Sequence, residues 1–237
     1  MLKAVLNREV RRFIDVFIDK LMTQRRLYEL HPHTLILREA QQEAAEYAKR
    51  HMAGAMIFSS QREILLYALR RATLKGLILE FGVAEGVSIS YLAGAVDGPV
   101  YGFDSFEGLP EDWPGRHEPQ GAYSTAGRLP TVPKNVTLQK GWFNETLPRF
   151  LQEHQDPVAF LHVDCDLYAS TRTVLTQLAD RIIPGTVILF DEYFNYLSWR
   201  EHEFKAFQEF VQARRVTYQY LAWAYQQAAV LITGVGT

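Results

Sequence analysis

The sequence predicts an α/β fold, and three observations carry that reading. Short apolar runs alternate with helical stretches from residue 77 onward, four of the first five runs end in or beside an acid, and the last two strands are separated by only a few residues. Alternation of strand and helix implies a parallel sheet with helices on both faces. A parallel crossover needs about a dozen residues, so the closing pair must be antiparallel.

Residues 1–75 read as helical. Phe13, Ile14, Phe17, Ile18 and Leu21 recur at helical spacing, and Arg38 to Met52 is rich in Ala, Glu and Gln. His31-Pro32-His33 breaks the first helix from the next helical stretch. Ser60 with Glu63 fits a capping box, opening a helix that runs through Leu65, Leu66 and Leu69 to Gly76. Strands are predicted at Leu77–Leu79, Val100–Asp104, Val136–Gln139, Val158–Val163 and Thr186–Phe190, with helices at Ser88–Ala95, Thr146–His154, Ser170–Arg181 and Trp199–Ala213. Val216–Trp223 and Ala228–Thr233 complete the set. The whole is a Rossmann-like, seven-stranded, mostly parallel sheet with one antiparallel strand, helices on both faces and a helical N-terminal extension. Ser105 to Asn135 is a long connection holding Pro110, Pro114, Pro119, Pro130 and Pro133, with Phe106, Trp113 and Tyr123 among them. Connections of that length are often functional, and the aromatics predict a partly packed loop beside a site.

Composition excludes several classes. At 237 residues the chain can bury one large core, and 48% hydrophobic with 13% aromatic content is that of a folded globular protein. A net charge of −2 gives no global field for nucleic acid or an anionic membrane. Cys165 is the single cysteine, which excludes an internal disulfide, and it reads as a packed core thiol. The first 22 residues are broken by charges, with no apolar core of a signal peptide, and no run approaches the ~20 residues of a membrane span. The expected location is cytoplasmic.

In an open α/β sheet ligands bind at the carboxyl ends of the strands. Glu80, Asp104, Asp164 with Asp166, and Asp191 with Glu192 all fall there, and carboxylates serve hydroxyls and cations better than they serve a core. Gly82 and Gly86 let the backbone approach a ligand at a helix N-terminus. A dinucleotide turn would read G-x-G-x-x-G. Here the glycines are four apart and preceded by Glu80, which would repel a pyrophosphate but suits a ligand carrying an ammonium and a sulfonium. About 20 residues on, Asp104 can accept hydrogen bonds from both ribose hydroxyls, or cap its own turn.

Five segments then appear in order: EFGVAEGVS at 80–88, YGFDSFEGLPEDW at 101–113, GWFNETLP at 141–148, HVDCDLYAST at 162–171 and FDEYFNY at 190–196. Over roughly residues 60–233 the chain resembles the macrocin O-methyltransferase family, which methylates hydroxyls on antibiotic sugars and related natural products. The resemblance implies an S-adenosylmethionine-dependent O-methyltransferase domain at 61–237. It places Glu80, Gly82, Val83, Ala84, Gly86 and Ser88 along the methionine end, Asp104, Ser105 and Phe106 on the ribose and adenine, and Gly141, Trp142 and Phe143 beside the adenine. It also implies Mg²⁺ held by Asp164, Asp191 and Glu192. Two positions depart from the family: Glu192 stands where a second aspartate is usual, and Ala84 where the middle glycine is.

Methyl transfer is an in-line displacement, and an alcohol needs to shed its proton to attack. Asp164 is the expected base, with a cation assisting. Asp166 reads as a cap on the next helix, and His162 as a satisfied core histidine. Tyr193, Phe194, Tyr196 and Trp199 read as packing. The partner is a hydroxylated small molecule, with neither nucleic acid nor membrane, and the chain is expected to form a homodimer or higher homo-oligomer. Residues 1–60 are expected to be a lid or a dimer contact. Two rivals remain: a non-catalytic S-adenosylmethionine-binding module and a nicotinamide-dependent oxidoreductase.

Overall fold

The computed structural model describes residues 2–236, with side chains from residue 7. Two long helices come first, α1 (Leu2–Leu30) and α2 (Pro32–His51). They part where the extended His31 caps α2 through its Nδ1, 3.1 Å from His33 N, with Pro32 in the first helical position. Next come β1 (Met56–Ile57) and α3 (Gln61–Arg71), then β2 (Leu77–Phe81), α4 (Val87–Ala93), β3 (Val100–Asp104) and β4 (Val136–Lys140). The chain continues through α5 (Phe143–Glu153), β5 (Val158–Val163), α6 (Tyr168–Gln177) and β6 (Val187–Phe190). It closes with a short 3₁₀ turn at Trp199–Glu201, α7 (Glu203–Arg214), β7 (Thr217–Trp223) and β8 (Ala228–Gly234).

The described strands form one sheet in the order β1-β7-β8-β6-β5-β2-β3-β4. β8 runs antiparallel to both β6 and β7, and the remaining pairings are parallel. The sheet therefore has eight strands rather than seven. The extra one is β1, a two-residue exposed edge strand, too short to break the helical pattern around it. The third helix also stops at Arg71, short of Gly76. A Cβ at Gly76 would lie 2.1 Å from Pro157 O, so a bare backbone must pass close to the chain entering β5.

Both faces are covered. Ile64, Leu65 and Leu69 of α3 with Ile89 and Leu92 of α4 bury one face. Leu147 and Phe150 of α5, Val174 and Leu175 of α6, and Phe207 and Phe210 of α7 bury the other. β5 and β6 are buried at every residue, which is why they read as unbroken apolar runs. Tyr193, Phe194, Tyr196 and Trp199 are all buried. The Tyr193 hydroxyl lies 2.6 Å from that of Tyr220, which lies 2.7 Å from that of Tyr47, so a tyrosine chain ties α2 to the sheet. No described helix is long and apolar enough to cross a membrane.

Candidate active site

Because β6, β5, β2 and β3 are parallel neighbours, their C-terminal ends share one edge, and the acids that end them are gathered there. The chain leaves three of these strands through non-glycine residues in the left-handed region: Ala84 (φ 44°), Phe106 (φ 61°) and Asp166 (φ 65°). Such conformations cost of order 1–3 kcal/mol each and cluster where ligands are held.

A cavity of about 430 Å³ opens on this edge, within the size range of small-molecule sites. Its walls include the turn Gly82–Ala84, Asp104 and Ser105, Trp142 and Phe143, and the acids Asp164, Asp166 and Glu192. The turn sits against β5: Asp164 N donates to Phe81 O at 2.9 Å, and a Cβ at Gly82 (φ +92°) would fall 1.6 Å from Asp164 O. Gly82 is thus the residue that lets the two loops touch. Asp104 accepts from Val83 N (2.7 Å) and Ala84 N (2.8 Å) through Oδ2, and from Phe106 N (2.6 Å) through Oδ1. It braces both loops, the capping role open to it in sequence, while also facing the cavity.

The acids divide into two groups. Below the floor, His162 lies between Glu80 Oε2 (2.9 Å from Nδ1) and Asp191 Oδ1 (3.7 Å from Nε2). Asp191 also accepts from Gln61 Nε2 at 2.6 Å and Gln227 Nε2 at 3.4 Å, and Ser88 Oγ donates to Glu80 at 3.0 Å. At the cavity wall, one ligand atom each from Asp164, Asp166 and Glu192 lies within 4.8 Å of the others. Asp164 also belongs to a second such group with His162 and Asp191. Asp191 and Glu192, expected to bind side by side, fall in different groups. Asp166, read as a cap, sits with the ligand-capable acids.

Burial, with the charge of Asp191 second, raises the Asp164 and Glu192 carboxyls well above the ordinary range. Burial pushes Asp166 up to about 7. Glu192 Oε2 is buried with no hydrogen-bond partner among the described residues. Closely packed oxygens that repel one another, one of them orphaned, fit a hard divalent cation.

Of the residues expected on the nucleoside, Gly82, Val83, Ala84, Asp104, Ser105, Trp142 and Phe143 line the cavity. Glu80 does not: it is fully buried beneath the turn and spent on His162 and Ser88. Gly86, Ser88, Phe106 and Gly141 stand behind the wall; Phe106 is buried, and Gly86 (φ +78°) caps α4. Tyr123, one of the aromatics of the long loop, reaches the cavity; sequence reasoning missed Glu203, whose Oε2 accepts from Glu192 N at 3.0 Å. Glu203 carries no signal in sequence beyond an acid at a helix start.

Residues 79–193 match the family model described as a methyltransferase domain. Over 183 residues the chain is 28% identical to a mycinamicin III 3''-O-methyltransferase of Micromonospora griseorubida, covering 65% of this chain and 70% of that protein. Over 168 residues it is 27% identical to an 8-demethyl-8-(2,3-dimethoxy-alpha-L-rhamnosyl)-tetracenomycin-C 4'-O-methyltransferase of Streptomyces olivaceus, covering 60% of this chain and 63% of that one. The fold is that of the calicheamicin methyltransferase CalS11, with a TM-score of 0.58 at 22% identity over 85% of this chain and 93% of that chain. Residues 79–193 thus match a methyltransferase domain, the chain shares the fold of a methyltransferase, and its two sequence relatives are O-methyltransferases of the kind its motifs resemble.

Proposed function

We propose that this chain moves the methyl group of S-adenosylmethionine to a hydroxyl of a natural product, on a sugar unit, and that Asp164 takes the proton. The observation that carries the reading is one cavity whose lining joins the glycine turn, Asp104, Trp142 and Phe143 to a cluster of carboxylates. The two sequence relatives, both named as O-methyltransferases, support the choice of acceptor class.

S-adenosylmethionine, when bound, supplies an electrophilic methyl on a sulfonium. Trp142 and Phe143 offer apolar faces to a purine, and Asp104 and Ser105 offer acceptors to a ribose. The backbone at Gly82 and Val83 would hold the methionine end, on the same cavity as Asp164. A carboxylate whose pKa is raised by burial is a better proton acceptor than an exposed one, which suits Asp164 to an alcohol held beside it. Asp164, Asp166 and Glu192 would hold Mg²⁺, which lowers the pKa of a coordinated hydroxyl and fixes its direction. This set exchanges Asp191 for Asp166 relative to the expected ligands, because the Asp191 carboxylate is held by Gln61 and Gln227.

The test is release of S-adenosylhomocysteine from a panel of glycosylated natural products, with and without Asp164→Asn. The variant should bind the nucleoside as tightly as wild type and lose turnover by roughly 10²-fold or more, the scale of general-base catalysis. Normal turnover in Asp164→Asn removes the base assignment, and no release with any acceptor removes the sugar reading.

A further inference from the structure

Every residue from 7 to 32 is exposed, so most of α1 stands away from the methyltransferase domain. Its length along residues 7–24 is about 27 Å. One stripe of this helix carries Val10 (49% exposed), Phe13 (71%), Ile14 (46%), Phe17 (54%), Ile18 (51%) and Leu21 (53%). Apolar patches of this size on a soluble protein mark an interaction surface.

The order of the stripe identifies its cover. About a point between Asp15 and Val16, Val10 mirrors Leu21, Phe13 mirrors Ile18 and Ile14 mirrors Phe17. The mirror extends one turn further on each side, where Asn7 corresponds to Gln24, two side-chain amides that can bond to each other. A stripe whose apolar positions keep the same spacing in both directions, with a phenylalanine set against an isoleucine at each central position, can pack on its own reverse, as a two-fold interface requires. We propose that α1 pairs antiparallel with α1 of a second copy of this chain, centred between Asp15 and Val16.

Charge agrees with that register. Glu9 and Lys20 lie on the same flank of the stripe, and reversing one helix against the other brings Glu9 of each copy close to Lys20 of its mate, twice per dimer. The amides of Asn7 and Gln24 close the two ends, where a polar pair inside an apolar seam penalises slippage. Area suffices as well. A phenylalanine can bury roughly 150–250 Å², so the four in the pair, with eight aliphatic side chains, approach the ~1,000 Å² of a specific interface. The pairing is independent of the chemistry assigned to the cavity.

Sedimentation equilibrium on the full chain tests it. Wild type should be a dimer at micromolar concentration, and Phe17→Glu, which sets two carboxylates at the centre of the seam, should raise the dissociation constant at least about 100-fold. Nucleoside binding and the main thermal transition should stay unchanged in that variant, which separates lost pairing from lost folding. Glu9→Lys should weaken the dimer about fivefold, and Glu9→Lys with Lys20→Glu should restore it. A monomeric wild type overturns the proposal, including one whose α1 resists protease because it folds back on its own domain. A dimer indifferent to Phe17→Glu also overturns it, and failure of the double reversal to restore overturns the antiparallel register.

Discussion

Glu80 of β2 and His162 of β5 are register neighbours in adjacent parallel strands, and Glu80 Oε2 lies 2.9 Å from His162 Nδ1 with both side chains fully buried. The acid that precedes the glycine turn therefore fastens the two central strands. Removing one partner of a buried pair strands the other in a low-dielectric interior, at a cost of about 3–5 kcal/mol. Glu80→Ala should lose that much in urea unfolding, since Ser88 Oγ loses its acceptor too. Glu80→Gln keeps an acceptor and should cost less, leaving nucleoside affinity within about twofold, a few tenths of a kcal/mol. A tenfold loss of affinity in Glu80→Gln, with stability intact, would return this residue to the ligand.

Gly82 tests the contact between the turn and β5. With φ at +92° and a Cβ destined for 1.6 Å from Asp164 O, Gly82→Ala must displace either the turn or Asp164. The expected result is a loss of at least about 2 kcal/mol in stability together with weakened nucleoside binding. Gly54→Ala is the control, because nothing lies within 4 Å of its added methyl. Equal melting temperatures for the two variants would refute the close approach.

The sequence made the strands and the shared acidic edge legible for a physical reason. Buried parallel strands must be apolar throughout, and a carboxylate at such a strand's end contrasts sharply with the run before it, as at Val187–Phe190 followed by Asp191. Side-chain direction was not legible. Asp191 and Glu192 are adjacent, yet one turns toward His162 and Gln61 while the other faces the cavity with Asp166. Asp166 reads as a cap in sequence, where nothing records the φ of 65° that it takes in the turn after β5. Glu203, from α7, meets Glu192 across a turn whose path no local pattern records.

His202 gives the long loop a dependence on pH. Its Nε2 lies 3.2 Å from Pro114 O, its ring meets Trp113 at 5.9 Å, and its Nδ1 is buried without a partner among the described residues. Burial holds its pKa below the ordinary 6.5, since a protonated ring would bury a second N–H with no acceptor. The unfolded chain takes up this proton near 6.5 while the folded chain resists it. Stability from this group is therefore whole above about 6.5 and falls as pH drops toward the lower folded value. The buried carboxyls of the cavity, raised by burial, act in the opposite direction, so the contribution of His202 is read by difference: between about pH 7 and 5 wild type should lose stability relative to His202→Gln. An unchanged slope in the variant would assign the acid sensitivity elsewhere.

The last prediction separates the two acid groups by their affinity for a cation. Asp164, Asp166 and Glu192 converge on the cavity, and Glu192 Oε2 has no partner among the described residues. Asp191 is already satisfied by Gln61 and Gln227, with His162 beside it. If the cavity group binds Mg²⁺, the ion should raise the wild-type melting temperature, since a ligand at 100 times its Kd adds about 2.7 kcal/mol. Glu192→Gln and Asp166→Asn should each weaken Mg²⁺ by at least about tenfold in calorimetry, the lower end of what altering a metal's carboxylate surroundings costs. Asp191→Asn should weaken it less while lowering stability, because its carboxylate is bonded to two side chains, Gln61 and Gln227. Turnover should stop with a chelator and return with Mg²⁺. Should Asp191→Asn prove as damaging to Mg²⁺ affinity as Glu192→Gln, with Asp166→Asn harmless, the ion would belong to the adjacent pair at the end of β6, and the Asp191 side chain would have to leave Gln61 to reach it.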